Sequence, residues 1–133
     1  DKGSLAGIRQ AAVVITYLGL VGRVVETSTS TSKVMLINDS NLSISAIVQR
    51  SRQEGLICGT LGNSLIMRYL PKDADIKVND VIITSGLTDN FPKGLLIGTV
   101  TDVGEEFSDL SRYAIVKPAA NLSNVEEVLI IAP

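Results

Sequence analysis

The sequence has no histidine and no tryptophan, one cysteine and four prolines in 133 residues. Without an imidazole, neither a Ser-His-Asp nor a Cys-His arrangement can be assembled, and Ser85 and Cys58 have no usual base to activate them. A single cysteine excludes an intramolecular disulfide. With no histidine and only scattered carboxylates it gives no zinc set either. Cys58 sits in the apolar run Leu56-Ile57-Cys58 and reads as a small core side chain rather than a reactive thiol. The acidic cluster Asp73, Asp75 and Asp80 lies near Pro71 and beside Lys72 and Lys77, a composition that reads as a solvated turn. Gly19-Leu20-Val21-Gly22 falls within a strand pattern and is followed by no helix, so it is not a phosphate cradle. No catalytic residue, metal or cofactor is expected.

Aromatics are also scarce: Tyr17, Tyr69, Tyr113, Phe91 and Phe107 make up 4% of the chain. The core must therefore be built from Val, Ile and Leu. The net charge is −2 and the basic residues are scattered, so the basic face and stacking aromatics of a nucleic-acid binder are missing. No apolar run approaches the roughly 18 residues of a membrane span, and no secretory leader is visible. The opening Asp1-Lys2-Gly3 reads as the middle of a longer polypeptide.

What is present is β-branched. Short Val- and Ile-rich runs, separated by Gly, Asn, Asp and Ser, predict strands at Ala12–Thr16, Leu20–Thr27, Lys33–Ile37, Ser45–Arg50 and Gly55–Thr60. Five more follow at Leu65–Leu70, Val81–Thr84, Leu96–Val103, Tyr113–Lys117 and Val128–Ile131. One helical turn is expected at Ser123–Glu126, with Ser123 as its cap. Alternation along Leu65–Leu70 places Leu65, Met67 and Tyr69 on one face and Ile66 and Leu70 on the other. Both faces would then be apolar, as where two layers abut, and any exposed part would invite self-association.

The halves of the chain resemble each other. Ala12–Thr16 aligns with Asp80–Thr84, Gly22-x-Val24 with Gly98-x-Val100, and Asn41-Leu42-Ser43 with Asn121-Leu122-Ser123. Order is kept while the offset grows from 68 to 76 to 80, which indicates a duplicated β module. The paired glycines are expected where a strand bends sharply or another backbone comes close. The expected fold is all-β: two small, mostly antiparallel barrels in tandem, at residues 1–62 and 63–133, with strands free to cross between them.

Several stretches together resemble the MreC family. They include Gly19-Leu20-Val21-Gly22-Arg23-Val24-Val25, Tyr69-Leu70-Pro71-x-Asp73-Ala74-Asp75 and Asp80-Val81-Ile82-Ile83-Thr84-Ser85-Gly86-Leu87. Phe91-Pro92-Lys93-Gly94-Leu95, Gly98-Thr99-Val100 and Val116-Lys117-Pro118-Ala119-Ala120-Asn121-Leu122 complete the series in family order. Asn79 departs from it, standing where the family usually has glycine; Asn tolerates positive φ better than most residues.

The resemblance implies two six-stranded barrels, superficially like a chymotrypsin-type double barrel. It implies a non-catalytic scaffold on the extracytoplasmic (periplasmic) face of the bacterial inner membrane, held there by a single-pass anchor. Its role would be to organise peptidoglycan synthesis within the elongasome and so to maintain cell shape. The implied partners are a class B penicillin-binding protein, MreD, RodA, MreB and further copies of itself. A generic β-barrel module binding a ligand or peptide is the alternative, and a deep pocket with convergent polar groups would favour it. Candidate partner-binding residues are Phe91, Pro92 and Lys93, on a loop whose turn chemistry tends to expose them, and Arg68, the one charge on its strand. Phe91 has two open roles, interface anchor or plug beneath the loop.

Overall fold

The computed structural model describes residues 12–27, 32–60, 62–87, 91–106, 111–123 and 128–131. The opening segment and most of the helical turn expected at 123–126 lie outside the described residues. The ten strands are β1 (Val13–Thr16), β2 (Gly19–Thr27), β3 (Ser32–Leu36), β4 (Ser43–Val48), β5 (Glu54–Gly59), β6 (Leu65–Pro71), β7 (Val81–Thr84), β8 (Leu96–Glu105), β9 (Ser111–Pro118) and β10 (Leu129–Ile131). Each predicted strand overlaps one of them.

Six strands close into a barrel in the order β4-β5-β6-β9-β8-β7, with β7 returning to β4. The remaining four form a sheet ordered β10-β1-β2-β3. All pairings are antiparallel. The two sheets meet through β2 and β8, and their buried side chains form one cluster running from Val14 and Leu20 to Ile82, Ile97 and Val116. β4 shows how the sequence sets this up: Ile44, Ala46 and Val48, two apart, are all fully buried.

Between β3 and β4 the chain passes from the first sheet into the barrel. β4 and β5 belong to the barrel with β6–β9, and β10 returns to the first sheet. Strand pairing sets this arrangement, because the repeated unit exchanges its last strand. β1–β2 and β7–β8 are matching hairpins. Val14 faces Gly22 and Ile82 faces Gly98, and each pair is followed at once by a register shift. A Cβ on Gly22 would collide with the carbonyl of Met35 in β3, and one on Gly98 with the carbonyl of Lys117 in β9. Both glycines thus let a neighbouring backbone approach, as expected. The fourth strands then cross over: β4 follows β3 but pairs with β7, through Val48 and Ile82. β10 follows β9 but pairs with β1, through Ile130 and Val14. The hairpin β5–β6 links β4 to β9 and closes the barrel.

β6 departs from simple alternation. Met67 faces Ala114 and Leu70 faces Arg112, so Arg68 and Tyr69 together oppose Tyr113 alone. This is a β-bulge. Tyr69 takes φ = 62°, a left-handed conformation that costs a residue with a Cβ roughly 1–2 kcal/mol. The extra residue inverts the alternation beyond it, so Leu70 points into the barrel and Tyr69 points out. The expectation that Tyr69 shares a face with Leu65 and Met67 is therefore corrected. β6 also lies within the barrel wall, between β5 and β9, and not where the two sheets meet.

Candidate interaction surface

The Thr84–Gly94 loop is organised by one buried hydroxyl. Thr84 Oγ1 donates to the carbonyl of Pro92 at 2.6 Å and accepts from the Leu95 amide at 2.8 Å. The Thr84 backbone also pairs with Gly94 and Leu95. Gly86 and Gly94 supply the positive φ values, 75° and 92°, that turn the chain on either side. With residues 92–95 tied to Thr84, the residue before them is drawn inward. Phe91 is only 3% exposed and packs into the common core. Of the two roles left open for Phe91, this burial is that of a plug beneath the loop: the hydroxyl staple outweighs the usual outward bias of a turn. Pro92 and Lys93 remain at the surface, with Leu87 nearby in sequence.

Arg68 is exposed on the β6 bulge, and its Nε lies 4.0 Å from a Glu106 carboxylate oxygen, the limit of an ion pair. It stands beside Tyr69, which is 76% exposed. Arg68 lies on β6 and the loop group on the β7–β8 connection, two elements that do not pair with each other.

Asp73 and Asp75 of the acidic cluster are exposed, as a solvated turn would have them, but Asp80 is not. Asp80 is 8% exposed. Arg50, just after β4, donates from Nε and Nη2 to both Asp80 oxygens at 2.9 Å. The same guanidinium reaches the Asp75 oxygens at 3.0 and 2.7 Å, and Ser51 donates to the Asp75 carbonyl at 2.6 Å. The Lys77 amide completes the set on Asp80 at 2.8 Å. These bonds lock the β4–β5 turn to the connection between β6 and β7. Asn79, within that connection, has φ = 77°, the positive value that its Asn for Gly departure allows.

Hydrogen bonds from Arg50 hold the Asp80 carboxyl below its ordinary value of 3.8 against the opposing effect of burial, and the Asp75 carboxyl likewise. A carboxylate with a lowered folded pKa contributes stability above the unfolded pKa. That contribution is lost as pH falls through the folded value. Asp80→Asn should therefore lower stability at pH 7 by about 2 kcal/mol, as the charge-assisted hydrogen bonds on the buried Asp80 carboxylate are broken. The difference from the unchanged protein should shrink below pH 3.8. Urea titrations at pH 7 and pH 3 check this, and an unchanged gap at the lower pH would refute the linkage.

Sequence reasoning missed one apolar corner. Tyr17 is 93% exposed and forms the β1–β2 turn with Leu18, which is also exposed. A shallow recess joins this turn to Leu95 and Leu96 at the foot of the Thr84–Gly94 loop. Exposed Leu129, on β10, faces Ile15 across the sheet. The signal lay in Tyr17-Leu18-Gly19: two residues between strands form a tight turn, whose side chains face water.

Among the described residues, no three His, Cys, Asp or Glu side chains converge as a metal set. Their polar side chains mostly fix loops to strands. The fold and surface define an all-β core, a closed six-stranded barrel packed against a four-stranded sheet, that presents turns, a bulge and an apolar corner. The chain belongs to the MreC family: the sequence profile of "Rod shape-determining protein MreC, barrel core" matches residues 1–132. It is 33% identical to the cell shape-determining protein MreC of Listeria monocytogenes, over 98% of this chain and 46% of that protein. The chain thus spans about half the length of this relative. The crystal structure of MreC from Pseudomonas aeruginosa superposes with a TM-score of 0.92 at 32% identity, covering 98% of this chain and 85% of that one. A complex between a penicillin-binding protein and MreC from Helicobacter pylori shares the fold at 19% identity. Its TM-score is 0.70, with 83% of this chain and 68% of that chain covered.

Proposed function

We propose that this chain is the extracytoplasmic contact module of a membrane-anchored scaffold that organises peptidoglycan synthesis along the cell, and that it works by binding rather than by catalysis. Membership of a cell shape-determining family carries the reading. The Helicobacter pylori relative, held in complex with a penicillin-binding protein, supports a class B enzyme of that type as a direct partner. MreD, RodA and MreB belong to the same reading as further associates, as do other copies of the chain.

The absence of histidine supports the non-catalytic part, since no residue supplies an imidazole base. The internal repeat supports a further point. The barrel strands β4 and β9 are bridged by β5 and β6, whereas their counterparts β10 and β3 each have one partner among the described strands. Two additional strands would complete the first sheet as a second barrel. As candidate contacts, Pro92 and Lys93 lie on the stapled loop and Arg68 on the bulge, while Phe91 supports the loop from below.

The test is retrieval of the full-length protein from cross-linked cells. A class B penicillin-binding protein should come with it in stoichiometric yield, compared with an abundant envelope protein as control. Recovery no greater than that control would remove the scaffold reading.

A further inference from the structure

Tyr69 is held in a conformation that suits glycine, and its ring gains no burial in return. The residues on either side of the bulge, Met67 and Leu70, are fully buried, and they fix where the wall must bend. A bulge of this kind is ordinarily served by glycine, or by asparagine, at the left-handed position. A tyrosine there neither fills the core nor donates or accepts a hydrogen bond to any described residue. Tyr113, the residue opposite, lays its ring over Gly104 of β8. The other flank is anchored by Arg112, which donates to the Ala74 carbonyl at 2.9 Å. The frame around Tyr69 is thus rigid and its side chain projects into water. Arg68 projects beside it, its guanidinium engaged among the described residues only by the long contact to Glu106. Strain without local benefit, at an exposed aromatic on a fixed frame, points outward.

We propose that Arg68 and Tyr69 form a docking point for a protein partner, the class B penicillin-binding protein of the function proposed above. The Tyr69 ring would enter an apolar recess while Arg68 exchanges its distant contact with Glu106 for a carboxylate on the partner. Tyrosine and arginine are the side chains over-represented where interfaces concentrate their affinity, and a ring set by backbone geometry loses little freedom on binding. The inference rests on the scaffold reading and adds to it the place of contact.

The experiment uses the full-length protein in detergent, titrated with the class B penicillin-binding protein of the same organism. Tyr69→Gly should melt at the same or a higher temperature, because glycine adopts φ = 62° freely, yet bind at least tenfold more weakly. Tyr69→Asn should behave in the same way. Arg68→Glu should also bind at least tenfold more weakly at an unchanged melting temperature, and its loss should diminish as salt is raised. Unchanged affinity in these variants would overturn the inference alone. A lower melting temperature for both Tyr69 variants would overturn it too, since the ring would then be structural. Binding to purified peptidoglycan that is lost while enzyme binding persists would assign the pair to a glycan instead. If the unchanged protein fails to bind the enzyme, the proposed partner falls, and this docking point with it.

Discussion

Phe91→Ala should destabilise the protein by about 3 kcal/mol, the usual loss when a buried phenylalanine is truncated and its cavity only partly collapses. For a chain of this length that is a fall in melting temperature of roughly 10 °C. The ring is buried in the common core, and the staple from Thr84 to Pro92 and Leu95 would still hold residues 92–95 in place around the void. Affinity for a partner, measured per folded molecule, should change little. Differential scanning calorimetry beside a binding titration separates the two roles. A variant that melts normally but no longer binds would restore Phe91 as an interface anchor.

The second large effect belongs to the glycines of the central hairpins. Gly98→Ala places a methyl group against the Lys117 carbonyl, and Gly22→Ala places one against that of Met35. The obstructing atoms are backbone held in a sheet, so the strands must separate, and each substitution should destabilise by about 3 kcal/mol. Gly62 provides the control: a Cβ there meets nothing within 4 Å, and Gly62→Ala should stay within about 0.5 kcal/mol of the unchanged protein. The two damaging variants should unfold in a single transition, because one core cluster spans both sheets. Urea midpoints decide the matter. Equal stability of Gly98→Ala and Gly62→Ala would contradict the close approach, and two separate transitions would contradict the shared core.

Much of this architecture was legible because strand formation is local. Runs such as Val81-Ile82-Ile83-Thr84 carry branched side chains that favour extended backbone and packing on a pleated surface. The repeat was legible for a related reason: Gly22 and Gly98 recur because the same backbone approach recurs. The crossing of β4 and β10 was hidden, since which strand lies beside which depends on contacts far apart in sequence. At Arg68–Tyr69 the alternation rule failed for a single extra residue, which reverses every assignment beyond it. The role of Phe91 stayed open in the sequence because a turn composition biases a residue outward, whereas the Thr84 hydroxyl that draws this one inward lies seven residues earlier. The Arg50–Asp80 pairing was invisible for the same kind of reason, as its partners are 30 residues apart. Pro92, Lys93 and Arg68 are exposed, which a turn composition and a lone charge on an apolar strand make legible. Tyr69 was passed over because alternation assigned it to a buried face.

The exchange of fourth strands has a mechanical consequence. Val13 at the start of β1 lies directly across from Ile131 at the end of β10, so the described path enters and leaves the core side by side. Tension drawn between those two points would peel β10 from β1 one rung at a time, starting at the pair that bears the load. The barrel shares no strand pairing with β1 and lies off that line of force. A load across that pair would therefore open the first sheet before it reached the closed barrel.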